Sequence, residues 1–315
     1  MTTATRRSFL RVADLVPDEL DALLDLAAAM RREPLAWRRG LEGGILACYF
    51  TKPSTRTRVS FEAAAWRLGL LPVMLRPDEL QLGRGEPLED TARVLSSYAE
   101  ALVVRTFAQA DVDALAAAAS VPVINALTDD HHPCQALADL LTVRDRFGEL
   151  RGLRIAYLGD GNNVAHSLIE AACLAGIEIA VATPPGHEPD ASIVRAAAAA
   201  GGERGGRVDV THDPREAVLG AHAVYTDVWV SMGQDAERAA RLAALESYRV
   251  DAAVMRSAAA DAVFLHCLPA HRGEEVAAEV IDGDASAVWE QAANRMPTEQ
   301  AVLRALITGD WDAVA

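Results

Sequence analysis

The chain has 315 residues, of which 51% are hydrophobic, so it is long enough for about two domains and too apolar to be disordered. Its formal net charge is −15, which argues against nucleic acid and anionic membrane surfaces as partners. Any anionic ligand must therefore be held by a local cluster of basic and hydroxyl groups.

The N-terminal segment contains "TRRSFLRV", which looks like a twin-arginine export signal. An export signal continues with an uncharged apolar stretch, whereas this chain is acidic at five positions between Asp14 and Asp25. We therefore predict an amphipathic first helix that starts near Pro17. No apolar run approaches the roughly 18 residues of a membrane span.

The cysteines give an indication of the compartment. There are four of them, without any C-x-x-C spacing: Cys48, Cys134, Cys173 and Cys267. So few cysteines in a long chain do not predict a disulfide framework. We interpret them as reduced thiols, which predicts a cytoplasmic protein.

Short runs rich in Val, Ile and Leu recur along the chain, without the polar alternation of a half-exposed strand. Such runs are typical of strands buried on both faces of a parallel sheet, and the segments between them are long enough for crossover helices. The sequence therefore predicts an α/β fold of two domains, each a mostly parallel sheet of four or five strands flanked by helices. The predicted strands are residues 45–50, 71–75, 101–105, 121–125, 154–158, 177–182, 208–211, 223–227 and 262–267.

Two further helices are predicted, one between the two groups of strands and one near the C-terminus. Residues 132–147 are predicted to form one helix that connects the domains, with the break near the charged segment 144–152. Residues 297–308 are predicted to form a C-terminal helix that no strand follows.

The run "TKPSTRTR" lies between the first predicted strand and a helix. In parallel α/β domains, ligands bind at the carboxyl ends of strands, beside helix N-termini whose free N–H groups and dipole favour an anion. Hydroxyl and guanidinium groups are further hydrogen-bond donors that suit phosphate oxygens. In this run they belong to Ser54, Thr55, Arg56, Thr57 and Arg58. The alternative is an ordinary capped helix start with two surface arginines. A nucleotide P-loop is excluded because G-x-x-x-x-G-K is missing.

The run "HHPCQ" places His132 and Gln135 at the start of another predicted helix. Together an imidazole and an amide can donate to a carbonyl oxygen and accept from an amide. An ordinary helix start with incidental polar residues is an equally good interpretation of the spacing alone.

The run "LGDGNNV" follows a strand and precedes a helix, as a dinucleotide-binding loop does. The third glycine of G-x-G-x-x-G is absent, and the next strand ends in "VATPPG" without an acidic residue for a ribose. The sequence therefore argues against a nucleotide. Asn163, at the helix start, remains a candidate for binding a carboxylate or an amine.

Two further runs follow strands near the C-terminal end of the second domain. "DVWVSMGQ" offers the Asp227 carboxylate for an ammonium group and Ser231 as a donor, or it is a plain strand-end loop. In "FLHCLPAHRGEE", Cys267 is a nucleophile, a polar pocket group or a core residue. The spacing of its cysteine and histidines does not support a tetrahedral zinc site, so we expect no metal.

The motifs "STRTR", "HPCQ", "DVWVSMG" and "HCLP", in this order, resemble those of the ornithine carbamoyltransferases, within the aspartate/ornithine carbamoyltransferase superfamily. The resemblance extends from "SFLRVADLVPDEL" to "NRMPTEQAVL", nearly the whole chain. It implies transfer of the carbamoyl group from carbamoyl phosphate to the side-chain amine of L-ornithine, giving L-citrulline and phosphate. It further implies arginine biosynthesis and no metal or cofactor.

The same resemblance implies roles for individual residues. Those expected to bind carbamoyl phosphate are Ser54, Thr55, Arg56, Thr57, Gln81, Arg105, His132, Gln135, Cys267, Leu268 and Arg295. Those expected to bind ornithine are Asn163, Asp227, Ser231 and Met232. The expected catalytic residues are Arg56, Arg105, His132, Asp227 and Cys267. Gln81 resembles a loop glutamine that family members insert into the site of a neighbouring subunit.

The resemblance also implies an architecture. It predicts a carbamoyl-phosphate-binding domain of residues 1–133 and 297–315, an ornithine-binding domain of residues 134–296, and a ligand site in the cleft between them. It predicts a homotrimer or a multiple of trimers. The alternatives are a transcarbamoylase for another amine such as putrescine, a catabolic ornithine carbamoyltransferase, a nucleotide-binding oxidoreductase and a non-catalytic binder of carbamoyl phosphate.

Overall fold

Each half of the chain folds around a parallel β-sheet. The computed structural model describes residues 7–76, 78, 85–231 and 235–312. It divides the chain into two units, Met1–Leu137 with Asn294–Ala315, and Ala138–Ala293. The predicted α/β fold with two parallel sheets flanked by helices is confirmed. The position of the ligand site relative to the two units stays a prediction.

The sheet of the first unit has four strands in the order β2-β1-β3-β4, and all of its pairs are parallel. The strands are β1 (Ile45–Phe50), β2 (Leu71–Leu75), β3 (Ala101–Arg105) and β4 (Val123–Leu127). The helices that begin in this unit are α1 (Pro17–Arg32), α2 (Thr55–Leu68), α3 (Leu88–Ser96), α4 (Gln109–Ala118) and α5 (Pro133–Phe147). The two central strands, β1 and β3, end at Phe50 and Arg105, which are paired in register.

The sheet of the second unit has five parallel strands in the order β7-β6-β5-β8-β9. The strands are β5 (Arg154–Leu158), β6 (Glu178–Ala182), β7 (Arg207–Thr211), β8 (Ala223–Thr226) and β9 (Val263–Leu265). The helices that begin in this unit are α6 (Asn163–Ala175), α7 (Ala191–Gly201), α8 (Pro214–Val218), α9 (Arg238–Leu245), α10 (Ala252–Ser257), α11 (Ala278–Ile281) and α12 (Val288–Thr308). From Asn294 onward, α12 belongs to the first unit. Because β5 and β8 are neighbours, the loops after both strands lie at the same edge of the sheet.

Helix α2 is held by an apolar stripe at helical spacing. Phe61, Ala64, Ala65 and Leu68 are completely buried, and they recur three, four and seven residues apart. Burial of a side chain as large as Phe61 stabilises the fold by roughly 1.5–3 kcal/mol. The helix ends at Gly69, whose φ of +85° is a left-handed conformation that glycine adopts without strain. This packing fixes the position of the N-terminus of α2.

Several predicted boundaries are wrong, among them two strand boundaries and the start of the C-terminal helix. The strand predicted to start at residue 121 starts at Val123, because Pro122 has no N–H to donate to the ladder. The strand predicted to reach residue 267 ends at Leu265, because the His266 N–H donates to the side chain of Gln291 at 2.9 Å instead of to a strand.

The C-terminal helix was predicted to start at Pro297 but starts nine residues earlier, at Val288. Here Pro297 lies inside the helix, which is tolerated although the proline removes one backbone hydrogen bond. None of the helices within the described part of the chain is long and apolar enough to cross a membrane.

Candidate active site

The N-terminus of α2 is built as the sequence predicts. Ser54 is its N-cap, with an extended backbone, and the Ser54 hydroxyl accepts a hydrogen bond from the Thr57 backbone N–H at 3.3 Å. Thr55 and Arg56, the first two helical residues, are exposed. The first turn contains no acidic residue, so nothing within it competes with an anion for the helix dipole.

The Thr57 side chain is the meeting point of the first unit's polar residues. It is buried, and its hydroxyl oxygen accepts from Arg295 Nη2 at 3.0 Å and from Arg105 Nη1 at 3.5 Å. Arg295 Nη1 also donates to Gln135 Oε1 at 3.0 Å. Four residues that lie far apart in the sequence, on α2, β3, α5 and α12, thus converge on one point.

His132 immediately precedes α5 and is buried in the same unit. Burial lowers the pKa of its imidazole well below the usual value, and the positive charges of Arg295, Arg105 and Arg56 lower it further. At neutral pH the ring is therefore uncharged, with one nitrogen able to donate and one able to accept.

A cavity of about 260 Å³ lies beside the start of α2. It is lined by Phe50, Thr51, Lys52, Pro53, Ser54, Arg58, Met74, Leu75, Arg76 and Asp78. The sequence reasoning missed Lys52. Its ammonium group is buried, forms an ion pair with Asp129 and lies 4.1 Å from the centre of the Phe107 ring. The signal was available, because Lys52 stands two residues before Ser54 in the same basic run.

In the second unit, the Asp227 carboxylate is fixed by two neighbours. It is buried just after β8, and the two partners reach different oxygens. Asn162 Nδ2 donates to Oδ2 at 2.8 Å, and Cys267 Sγ donates to Oδ1 at 2.9 Å. Asp227 and Cys267, both predicted site residues, are therefore in direct contact, and the loops after β8 and β9 hold them together.

Asn162 is a functional candidate that the sequence reasoning missed in favour of its neighbour. Asn162 is the N-cap of α6, and its Oδ1 accepts from the backbone N–H groups of Val164 and Ala165. Asn163 is the first helical residue and is half-buried. The signal in the sequence was the preference of asparagine for the N-cap position, which applies to Asn162 as well as to Asn163.

The turn after β9 has an unusual backbone. Leu268 has a φ of +58° and precedes a cis peptide bond to Pro269, and its N–H donates to His266 Nδ1 at 2.8 Å. His266 Nε2 lies 3.2 Å from Glu275 Oε1. Both ring nitrogens of His266 are thus engaged within the protein.

Among the residues that the structure describes, two groups of side chains each bring three possible metal ligands within 4.8 Å of one another. They are Asp227, His266 and Cys267, and His271, Glu274 and Glu275. The first group does not suit a metal, because both His266 nitrogens and the Cys267 thiol are already hydrogen-bonded. The expectation of a site without a metal stays a prediction.

Comparison with known proteins decides the family. A model described as the carbamoyl-P binding domain of aspartate/ornithine carbamoyltransferase matches residues 7–145, and one described as its Asp/Orn binding domain matches residues 151–306. The chain belongs to the aspartate/ornithine carbamoyltransferase family. The family predicted from the motifs is confirmed.

Members of this family match the chain over almost its whole length. An ornithine carbamoyltransferase of Parafrankia sp. is 53% identical over 306 residues, covering 96% of each chain. One from Gloeobacter violaceus is 50% identical, covering 98% of this chain and 97% of its own. The solved ornithine carbamoyltransferase of Pyrococcus furiosus is 46% identical with a TM-score of 0.92, covering 96% of this chain and 97% of its own.

The remaining predicted residues of the carbamoyltransferase site have different outcomes. Ser231 lies just after β8 in the second unit and is half-buried. Gln81 and Met232 lie outside the described residues. The binding roles of all the predicted residues stay predictions.

Proposed function

We propose that the protein transfers the carbamoyl group of carbamoyl phosphate to the side-chain amine of L-ornithine, giving L-citrulline and phosphate. The observation that carries this proposal is the match, at 50% and 53% identity over at least 96% of both chains, to two proteins named ornithine carbamoyltransferase. The first unit supplies cationic and hydrogen-bonding groups for an anionic carbamoyl donor, and the second unit supplies a fixed carboxylate for an amine.

Carbamoyl phosphate is bound at the N-terminus of α2. Its phosphate accepts hydrogen bonds from the first-turn N–H groups and from Ser54, Thr55, Arg56 and Thr57. The exposure of Thr55 and Arg56 supports this role, because a ligand can reach both side chains. Charge-assisted hydrogen bonds of this kind contribute about 1.5–3 kcal/mol each. A few of them offset the repulsion between the anion and the acidic chain.

The carbonyl end of carbamoyl phosphate lies against the groups that converge on Thr57. Arg105 bridges the phosphate and the carbonyl oxygen, neutral His132 donates to the carbonyl oxygen, and Gln135 accepts from the carbamoyl NH₂. The low pKa of His132 supports this assignment, because a neutral ring donates without adding a titrating charge near neutral pH. Arg295 holds Gln135 in position through its 3.0 Å hydrogen bond.

Ornithine is bound by polar groups of the second unit. The fixed Asp227 carboxylate accepts a hydrogen bond from an ammonium group of ornithine, and Asn163, Ser231 and Met232 complete the set of ornithine-binding residues. Asn162 and Cys267 keep both Asp227 oxygens in place, which supports a role in orientation and not in proton transfer. Cys267 and Leu268 also line the carbamoyl pocket.

The reaction is a single acyl transfer. The neutral amine attacks the carbonyl carbon, a C–N bond forms, and the C–O bond to phosphate breaks. Phosphate leaves with the electron pair and takes up the proton that the amine loses. A free amine of this type has a pKa of about 10.4, and the guanidinium groups that hold the donor lower it. The oxyanion of the tetrahedral intermediate is stabilised by Thr57, Arg105 and His132. Most of the rate therefore comes from positioning and electrostatics.

The proposal extends to the cellular setting of the enzyme. The direction is the biosynthetic one, toward arginine, and a 34% identical structure from Campylobacter jejuni is titled an anabolic ornithine carbamoyltransferase. The four cysteines, which form no disulfide, support a cytoplasmic location. The assembly is a homotrimer or a multiple of trimers, in which Gln81 reaches a neighbouring subunit. Light scattering of the purified protein measures this mass, and a monomer refutes the assembly.

The test of the activity is a citrulline assay with a panel of amines. Purified protein is given carbamoyl phosphate with L-ornithine, L-lysine or putrescine, and the carbamoylated product is measured by mass spectrometry. We expect L-ornithine to give the highest kcat/KM. A higher value with putrescine supports the transcarbamoylase for another amine instead. Product from none of these amines leaves only the non-catalytic binder or the nucleotide-binding oxidoreductase, which an NAD titration separates.

A further inference from the structure

Glu299 is a buried carboxyl group that the predicted site does not include. It lies four residues after Arg295 on α12, one helical turn further on, and its side chain is completely buried. Arg295 Nη2 donates to Glu299 Oε1 at 3.0 Å and to Thr57 Oγ1 at 3.0 Å. The Glu299 oxygen is therefore one of three acceptors that hold the guanidinium group, together with Thr57 and Gln135.

The surroundings of Glu299 come from four elements. Arg295 on α12 and the Ser60 hydroxyl on α2 favour its charged form, whereas the thiols of Cys48 on β1 and Cys134 on α5 lie close enough to interact with its charge. Burial raises the pKa of both thiols, so they remain neutral. Burial also has the largest effect on Glu299 itself and outweighs Arg295, which raises the pKa of Glu299 to about 7.

We propose that Glu299 is a positioning residue that orients Arg295 for the carbamoyl donor, and that the negative charge of its carboxylate weakens binding of the phosphate anion. Since burial raises the pKa of Glu299 to about 7, this charge forms and the affinity falls as pH rises through neutrality. This inference rests on the proposed function. An anion bound beside Arg295 repels the Glu299 carboxylate and favours its protonated form. Above the pKa of Glu299, binding of the anion is therefore accompanied by uptake of a proton by Glu299. The affinity is highest at low pH, where Glu299 is already protonated, and falls at higher pH, where it is charged in the free protein.

Glu299→Gln tests the charge without removing the acceptor, because glutamine keeps an oxygen for Arg295. Inorganic phosphate is titrated by calorimetry into the wild type and the variant between about pH 6 and about pH 8.5. Phosphate itself titrates in this range, but its effect cancels in the ratio of the two Kd values. We expect the ratio of wild-type Kd to variant Kd to rise about tenfold across the range, the factor for a one-unit pKa shift on binding.

Glu290→Gln is the matched control for loss of a carboxylate from the same helix. Its side chain is 55% exposed and pairs with Arg146. We expect its phosphate affinity to follow the wild type at every pH. Parallel curves for wild type and Glu299→Gln overturn the inference while leaving the proposed function intact. If neither chain binds phosphate, the donor site itself is wrong and both proposals fall.

The positioning role has its own measurement. Glu299→Leu removes both the charge and the acceptor, so Arg295 loses one of its three fixed partners. We expect kcat of Glu299→Leu near pH 6 to be about tenfold below that of Glu299→Gln, with a smaller difference in KM for carbamoyl phosphate. Equal kcat values contradict the positioning role. If Glu299→Leu does not fold, the phosphate titrations of Glu299→Gln decide the inference alone.

Discussion

The buried Glu299 carboxyl gives a prediction for stability that does not depend on the reaction. Its ordinary pKa of 4.5 is raised to about 7 in the folded protein, with burial as the main cause. Between these two values the unfolded chain has released the proton and the folded chain has kept it, so stability falls as pH rises. At about 1.4 kcal/mol for each unit, the loss amounts to about 3 kcal/mol.

Glu299→Gln stays neutral at every pH and escapes this loss. We therefore expect the wild type to lose about 3 kcal/mol relative to the variant as the pH is raised from about 4.5 to about 7. The free energies of unfolding are measured by urea titration at a series of pH values, following the transition of the first unit. Glu290→Gln is the control, and its difference from the wild type should not change over this range. If the difference in free energy of unfolding between the wild type and Glu299→Gln does not change with pH, the reasoning is refuted.

Three further substitutions test the proposed site. Arg56→Ala should lower kcat about 10²–10³-fold in the citrulline assay, because it removes a donor to the leaving phosphate. The control is Arg93→Ala, which removes an exposed arginine of the same unit and should leave kcat unchanged. Equal kcat values for the two variants would mean that the phosphate binds elsewhere. Asn162→Ala should cost about 1 kcal/mol of stability as a lost N-cap and also raise KM for ornithine. Asp251→Ala, another N-cap with two backbone contacts, should cost the same stability and leave that KM unchanged. Cys267→Ala should raise KM for ornithine severalfold, since it removes the thiol that donates to the substrate-binding Asp227 carboxylate. Full activity after thiol modification contradicts this role.

Much of the fold could be predicted because its strands are buried on both faces. An apolar run such as Ile45–Phe50 is recognisable without its neighbours, and its strand has the predicted bounds. Helix α2 was predictable for a different reason, since Ser54 and Gly69 are strong local signals for its start and end. Local chemistry determines these features, so a single sequence contains the information.

The errors occur where a distant side chain decides the local structure. The strand before Cys267 ends early because Gln291, 25 residues further on, takes the His266 N–H. The start of α12 was missed because a proline inside a helix looks the same in the sequence as a proline at its first position. Tertiary contacts of this kind leave no periodic signal.

In the site, too, local chemistry could be predicted from the sequence, whereas contacts between distant residues could not. The motif around Thr57 indicated a phosphate site from local chemistry alone, but the convergence of Arg105, Gln135 and Arg295 on Thr57 needed the structure. Glu299 was not predicted, because a glutamate one turn after an arginine is ordinarily an exposed ion pair. Its complete burial makes it different, and burial of a single position cannot be inferred from one sequence.

The most direct test of the central claim is a crystal structure of the protein soaked with carbamoyl phosphate. We predict phosphate density against the backbone N–H groups at the start of α2, within hydrogen-bonding distance of Thr55 and Arg56. Ligand density at another place, with none beside those two residues, contradicts the account.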